Sequence, residues 1–109
     1  TKEYIQIMRK IFERDGPVEL DGSMYQLPNK TEGTTGLGKA LKSILAAAKD
    51  IPIYTASITP AGLRCAGEVA DGVFPVWMDP NKFSVLGDPI EEGFQKAGNG
   101  KSLKDFDTR

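Results

Sequence analysis

The feature that most constrains this chain is a pair of apolar, β-branched runs separated by one helix-length segment. Ile51-Pro52-Ile53-Tyr54-Thr55-Ala56 reads as a buried strand whose proline sits near its start, where a missing amide does least harm to a ladder. Thr59-Pro60 then supplies an N-cap and the preset φ of a first helical residue, and Leu63, Ala66, Gly67 and Ala70 line one face of the helix that follows. This small-residue seam predicts close packing of the helix on a sheet. Asp71-Gly72 ends the helix, and Val73-Phe74-Pro75-Val76-Trp77 reads as a second buried strand that Pro75 must shorten or bulge. Strand, helix and strand with tight connections make a βαβ unit, hence a parallel sheet and an α/β fold class.

The flanks add elements on either side. From Lys2 to Arg14 the residues Tyr4, Ile5, Met8, Ile11 and Phe12 fall on one helical face, and Gly16-Pro17 ends the pattern. Val18-Glu19-Leu20 and Met24-Tyr25-Gln26-Leu27 flank Asp21-Gly22, a pair suited to a two-residue hairpin turn. Residues 28–39 are polar and glycine-rich and read as a surface insertion loop. Lys39 to Lys49 is ambiguous between a helix and a short strand over Leu41 to Leu45. Downstream, Asp79-Pro80 and Asp88-Pro89 repeat the cap-then-proline start, and Ile90, Phe94 and Ala97 form a stripe that stops at Gly98.

Some functions are excluded by what the chain contains. The net charge of -1 offers no basic surface for a phosphate backbone, so no nucleic-acid partner is expected. Cys65 is the sole cysteine and histidine is absent, which predicts a metal-free site and a reducing compartment. No signal peptide or membrane span is readable, and a start at Thr1 predicts that the chain begins inside a longer reading frame. Gly33-Thr34-Thr35-Gly36-Leu37-Gly38-Lys39 has the letters of a nucleotide-phosphate loop. However, Ala40 follows where a Mg²⁺-binding hydroxyl belongs, and a polar segment precedes it where a buried strand should. Lys39 is then a solvated lysine or at most an anion contact.

The combination of Ile51-Pro52-Ile53-Tyr54-Thr55-Ala56, Thr59-Pro60 and Ala66-Gly67-Glu68-Val69-Ala70-Asp71-Gly72-Val73-Phe74-Pro75 resembles a block of the luciferase-like monooxygenase family. The branch it most resembles uses the deazaflavin coenzyme F420. Gly22 to Pro28, Thr35 to Lys39 and Ile90 to Gly98 extend the similarity over nearly the whole chain. The resemblance implies part of a (β/α)8 TIM barrel, a fold that takes about 250 residues, so that these 109 are an incomplete fragment. It further implies an oxidoreductase or monooxygenase using coenzyme F420, with FMN as the alternative, acting on a small-molecule substrate. A cytoplasmic, homo-oligomeric parent is expected. Two other classes stay open: a non-catalytic flavin-binding paralogue or subunit, and a free-standing βαβ interaction module.

In barrels of this kind the loops after strands carry chemistry and those before strands serve stability. Ala56, Ser57, Ile58 and Thr59 follow a strand and precede a helix N-terminus, where free amides of Ala61 and Gly62 and the helix dipole suit an anion. The resemblance implies that this segment meets the phosphate or ribityl arm of the cofactor, with Ser57 and Ile58 in place of glycines common in the family. The plainer reading is that Thr59 caps its helix. Val76, Trp77 and Met78 also follow a strand and are candidates for the wall beside the cofactor ring or substrate, Trp77 as core filling being the competing reading. Asp71-Gly72 is expected to be a turn, Glu68 a surface or ion-pair residue, and no catalytic acid or base is assigned.

Overall fold

The computed structural model describes residues 1–36, 38–44 and 46–108, which divide into two units, Thr1–Ile51 and Pro52–Arg109. In the first, helix α1 (Lys2–Glu13) is closed by Arg14 in the left-handed conformation, φ 54°, whose amide donates to the Lys10 carbonyl. Ile5 is its buried residue, while Tyr4 is exposed and Met8, Ile11 and Phe12 are half-buried. Strands β1 (Leu20–Asp21) and β2 (Gln26–Leu27) form the expected antiparallel hairpin.

The hairpin turn differs from expectation. Leu20 pairs with Leu27 and Asp21 with Gln26, so the loop holds Gly22, Ser23, Met24 and Tyr25 rather than centring on Asp21-Gly22. Its organiser is Glu3 of α1, whose carboxylate accepts the amides of Ser23 (2.6 Å), Met24 (2.9 Å) and Tyr25 (2.8 Å) and the Ser23 hydroxyl (3.0 Å). Desolvation pushes the Glu3 pKa up, but the Tyr25, Met24 and Ser23 amides and the Ser23 hydroxyl outweigh it and hold the carboxyl below its ordinary value. Between Lys39 and Lys49 neither a helix nor a strand forms among the described residues; Leu45, the end of the strand alternative, lies outside them. The Leu41 carbonyl accepts the Val18 amide at 2.6 Å, an isolated antiparallel bridge that keeps the backbone there from coiling. Leu37 of the glycine-rich segment is also outside the described residues, and no strand leads into Gly33 and no helix starts at Lys39, so the nucleotide-loop reading fails.

The second unit is a parallel sheet of three strands in the order β3 (Tyr54–Thr55), β4 (Gly72–Val73), β5 (Asp107–Thr108). Helix α2 (Pro60–Val69) joins β3 to β4, and α3 (Ser84–Ala97) lies between β4 and β5. The βαβ unit is present as expected, but both strands are shorter than their apolar runs. Pro52 has no amide, and the Ile53 amide goes to the Asp71 carboxylate (2.8 Å) while its carbonyl accepts the Asp71 amide (2.8 Å). A side chain thus takes the amide of Ile53, which is buried, whereas Ile51 is exposed. Asp71 is therefore a strand-joining turn residue. After the Phe74 amide donates to the Thr55 carbonyl (2.8 Å), Pro75 ends the pairing and the chain leaves the sheet.

Helices α2 and α3 cover one face of this sheet. Leu63, Ala66 and Ala70 pack with Ile90, Phe94, Val73 and Phe106 in the core, the fully buried Leu63, Val73 and Ile90 each contributing about 1.5–3 kcal/mol. The small-residue seam serves helix-to-helix packing: a Cβ placed on Gly67 would strike the Ile90 carbonyl, and one placed on Gly93 would lie 3.0 Å from the Gly67 Cα and 2.9 Å from the Glu68 amide nitrogen. Ion pairs Arg64–Glu92 and Lys96–Glu68 bridge the same helices. Lys101 closes the C-terminal end of α2, its ammonium donating to the Ala70 carbonyl at 2.7 Å and lying 5.6 and 5.5 Å from the Phe94 and Phe106 rings.

One helix start is displaced. The Asp79-Pro80 signal begins a short 3-10 turn (Pro80–Lys82) with Asp79 accepting the Asn81 amide at 2.9 Å, as the capping pattern predicts. Asp88-Pro89, by contrast, lies inside α3, because the Phe83 carbonyl already accepts the Leu86 and Gly87 amides and starts the helix a turn earlier. The amide that Pro89 lacks would have met the carbonyl of Val85, an exposed residue, so the cost of a proline inside the helix is limited. The helix stops where expected, with Gly98 at φ 68°.

Candidate functional site

Because β3 and β4 run parallel, the segments that follow them emerge at the same end of the sheet. The first is Ala56, Ser57, Ile58 and Thr59. Thr59 has extended backbone, φ -85° and ψ 149°, and its hydroxyl accepts the Gly62 amide at 3.2 Å, so the capping role is present. That bond takes one of the two amides expected for a ligand. Pro60 has none, which leaves the Ala61 amide as the outward donor of the first turn among the described residues. The Ser57 hydroxyl is 3.5 Å from the Thr55 hydroxyl, and a Cβ on Gly62 would lie 3.1 Å from the Ser57 Cβ and Oγ, so serine fits tightly over the glycine of the helix start. No carboxylate occupies the first turn of α2. The turn thus presents an amide, two hydroxyls and the positive end of a helix dipole, chemistry that suits an anion.

The second segment is Val76, Trp77 and Met78, all exposed, with Trp77 at 96%. Trp77 is not part of the core of this unit. Trp77 also has φ 60°, a left-handed conformation that costs a bulky residue of order 1–3 kcal/mol and that concentrates at ligand-binding positions.

A third group was missed by sequence reasoning. Tyr54, Gly72 and Asp107 stand in register on β3, β4 and β5, and the Tyr54 hydroxyl donates to Asp107 Oδ2 at 2.8 Å. Phe74 lies 5.8 Å from the Tyr54 ring centre at 53°. Strand β5 is two residues long, too short for periodicity to find, and no local signal links positions so far apart. Among the described residues no group of His, Cys, Asp and Glu could hold a metal ion, and no helix is long and apolar enough to cross a membrane.

The luciferase-like monooxygenase family profile matches residues 1–108. A Mycobacterium tuberculosis protein assigned to the coenzyme F420-dependent oxidoreductases is 40% identical over 108 residues, 98% of this chain and 31% of that one. The 5,10-methylenetetrahydromethanopterin reductase of Methanopyrus kandleri is 37% identical over 92 residues, 84% of this chain and 23% of the reductase. The solved coenzyme F420-dependent tetrahydromethanopterin reductase from Methanopyrus kandleri superposes with a TM-score of 0.70 at 31% identity, covering 98% of this chain and 27% of the reductase. An F420-dependent secondary alcohol dehydrogenase superposes with a TM-score of 0.73 at 23% identity over 97% of this chain and 28% of the dehydrogenase, a likeness of fold. The chain spans about a third or less of the length of these relatives. With the family match running through the βαβ unit and its flanks, the chain belongs to the luciferase-like monooxygenase family.

Proposed function

We propose that this chain is a segment of a coenzyme F420-dependent oxidoreductase and supplies part of its cofactor site. In this reading Ala56, Ser57, Ile58 and Thr59 meet the phosphate or ribityl arm, and Val76, Trp77 and Met78 wall the ring or the substrate. The observation that carries it is the pairing of β3 and β4, which brings an anion-suited helix start and an exposed, strained tryptophan to one end of the sheet. The residues fit such a cofactor: the Ala61 amide and the Ser57 and Thr59 hydroxyls can take an anionic arm without a competing carboxylate, and Trp77 offers a flat apolar surface to a ring.

When bound, the reduced deazaflavin supplies a hydride to a small-molecule acceptor. The residues of this chain hold the cofactor, set its orientation and exclude water from its ring. FMN is the alternative cofactor, and the parent is taken to be a cytoplasmic homo-oligomer, which sedimentation of the full-length protein tests.

Replacing Ser57 by Asp in the full-length protein tests the loop. A carboxylate beside Gly62 at the helix start repels the phosphate, and loss of charge-assisted bonding of about 1–3 kcal/mol corresponds to roughly 5- to 150-fold weaker binding. Fluorescence titration of both proteins with coenzyme F420 and with FMN reads the site and the cofactor together. Equal affinities in wild type and variant would remove this loop from the site.

A further inference from the structure

The open face of the sheet carries an aromatic cluster that lies outside both loops. Ile53, Val73 and Phe106 are buried with the residues of α2 and α3, so the residues alternating with them, Tyr54, Gly72 and Asp107, belong to the opposite face. The Tyr54 ring crosses the middle strand to donate its hydroxyl to Asp107 Oδ2 at 2.8 Å. Gly72 is what lets it cross: a Cβ there would strike the Tyr54 ring and lie 2.5 Å from the Asp107 carbonyl oxygen. Phe74, two residues beyond Gly72 on the same face, sets its half-exposed ring 5.8 Å from that of Tyr54. Ala56 stands two residues beyond Tyr54, about 6.6 Å nearer the loop end of the strand.

A phenol–carboxylate pair spanning a glycine is an unusual filling for this place. The inner face of a (β/α)8 barrel is dominated by Val, Ile and Leu, and a carboxylate there costs free energy that an apolar side chain would not. What the pair provides is an anchored ring, its long axis held across the middle strand by the hydroxyl bond. We infer that Tyr54 and Phe74 form an aromatic surface for the planar ring system of the cofactor, one ring meeting it by its face and the other, inclined 53° to the first, by its edge, and that Asp107 is a positioning residue that anchors the Tyr54 ring. The inference rests on the cofactor reading above and adds to it the residues that face the ring from below.

The test uses the full-length protein and coenzyme F420 as the probe, with dissociation constants and the absorption spectrum of the bound cofactor as readouts. Tyr54→Leu and Phe74→Leu should each weaken binding about 3- to 10-fold by removing an aromatic partner. Asp107→Asn and Tyr54→Phe keep shape and fold but free the ring, so each should shift the bound spectrum, and the double variant should do no more than either alone. A lower melting temperature with unchanged affinity and spectrum in all four single variants would make the cluster purely structural and overturn the inference while leaving the cofactor reading intact. A wild-type protein that does not bind coenzyme F420 would overturn both.

Discussion

Replacing Gly93 by Ala tests the helix crossing on which the second unit is built. At an unobstructed position inside a helix the change stabilises by about 1 kcal/mol, because alanine loses less backbone freedom than glycine. Here the new Cβ would strike the Arg64 carbonyl and lie 2.9 Å from the Glu68 amide nitrogen and 3.0 Å from the Gly67 Cα. All three are backbone atoms of α2, so no side chain can rotate away. The helices must separate, which opens the contact of Leu63 and Ala66 with Ile90 and Phe94. Overpacking of this kind costs about 1–3 kcal/mol, and opening the core beside it places this site at the upper end, so the propensity gain leaves a net loss near 2 kcal/mol. Gly87→Ala in the same helix is the control, since its Cβ meets only the Phe83 ring, 3.1 Å away, a side chain that can yield. In urea unfolding of the full-length protein followed by circular dichroism, Gly93→Ala should lower the midpoint and Gly87→Ala should leave it nearly unchanged. A Gly93→Ala midpoint equal to or above wild type would refute the crossing geometry.

Three further outcomes follow from particular residues. Because the Glu3 pKa is depressed in the folded state, its hold on the Ser23–Tyr25 loop is complete above the ordinary glutamate value of about 4.3 and is lost as pH falls through the lower folded value. Protection of the Ser23, Met24 and Tyr25 amides relative to their intrinsic exchange rates should fall as pH drops through the folded value, and Glu3→Gln should abolish this acid dependence; unchanged protection would sink the reading. Trp77→Ala should alter stability by less than about 0.5 kcal/mol, since the ring is exposed, while weakening coenzyme F420 binding; a loss near 3–5 kcal/mol would show that the ring is buried in the full barrel. Expressed alone, the chain should aggregate or fold poorly, because β3 and β5 are open edges and Phe74, Val76 and Trp77 are uncovered; cooperative melting of a soluble monomer would contradict this.

Features encoded by neighbouring residues were legible in the sequence. The Thr59-Pro60 cap, the Leu63, Ala66, Gly67 and Ala70 face, the stop at Gly98 and the parallel βαβ order each depend on spacing within a few positions. Legibility failed where a distant group took over a local one. Glu3 reorganised the hairpin loop from twenty residues away, and the Asp71 carboxylate took the amide that Ile53 would have given to a ladder. Asp88-Pro89 misled because a capping pair and a tolerated internal proline look alike until the preceding turn is known. In the candidate site, the position of Ala56 to Thr59 after a strand was readable, but the use of the Gly62 amide by Thr59 was not, nor was the Tyr54–Asp107 bond, which depends on the register of three strands.

The two faces of the second unit separate the packed core from the proposed binding surface. Toward α2 and α3 the side chains are aliphatic or edge-packed aromatic, as Phe94 and Phe106 are at 5.4 Å and 67°, and at Gly67 and Gly93 the two helices meet backbone to backbone. At that crossing no added atom fits without separating the two helices. Toward the open face the same strands carry Tyr54, Gly72, Phe74 and Asp107, where a glycine makes room for a ring and a carboxylate aims it. Alternation along β4 places Gly72 on one side and Val73 on the other, so the packed core holds the open face in position. A planar ligand laid against Tyr54 would therefore rest on a ring already anchored to Asp107 before it arrives, which lowers the ordering cost of binding.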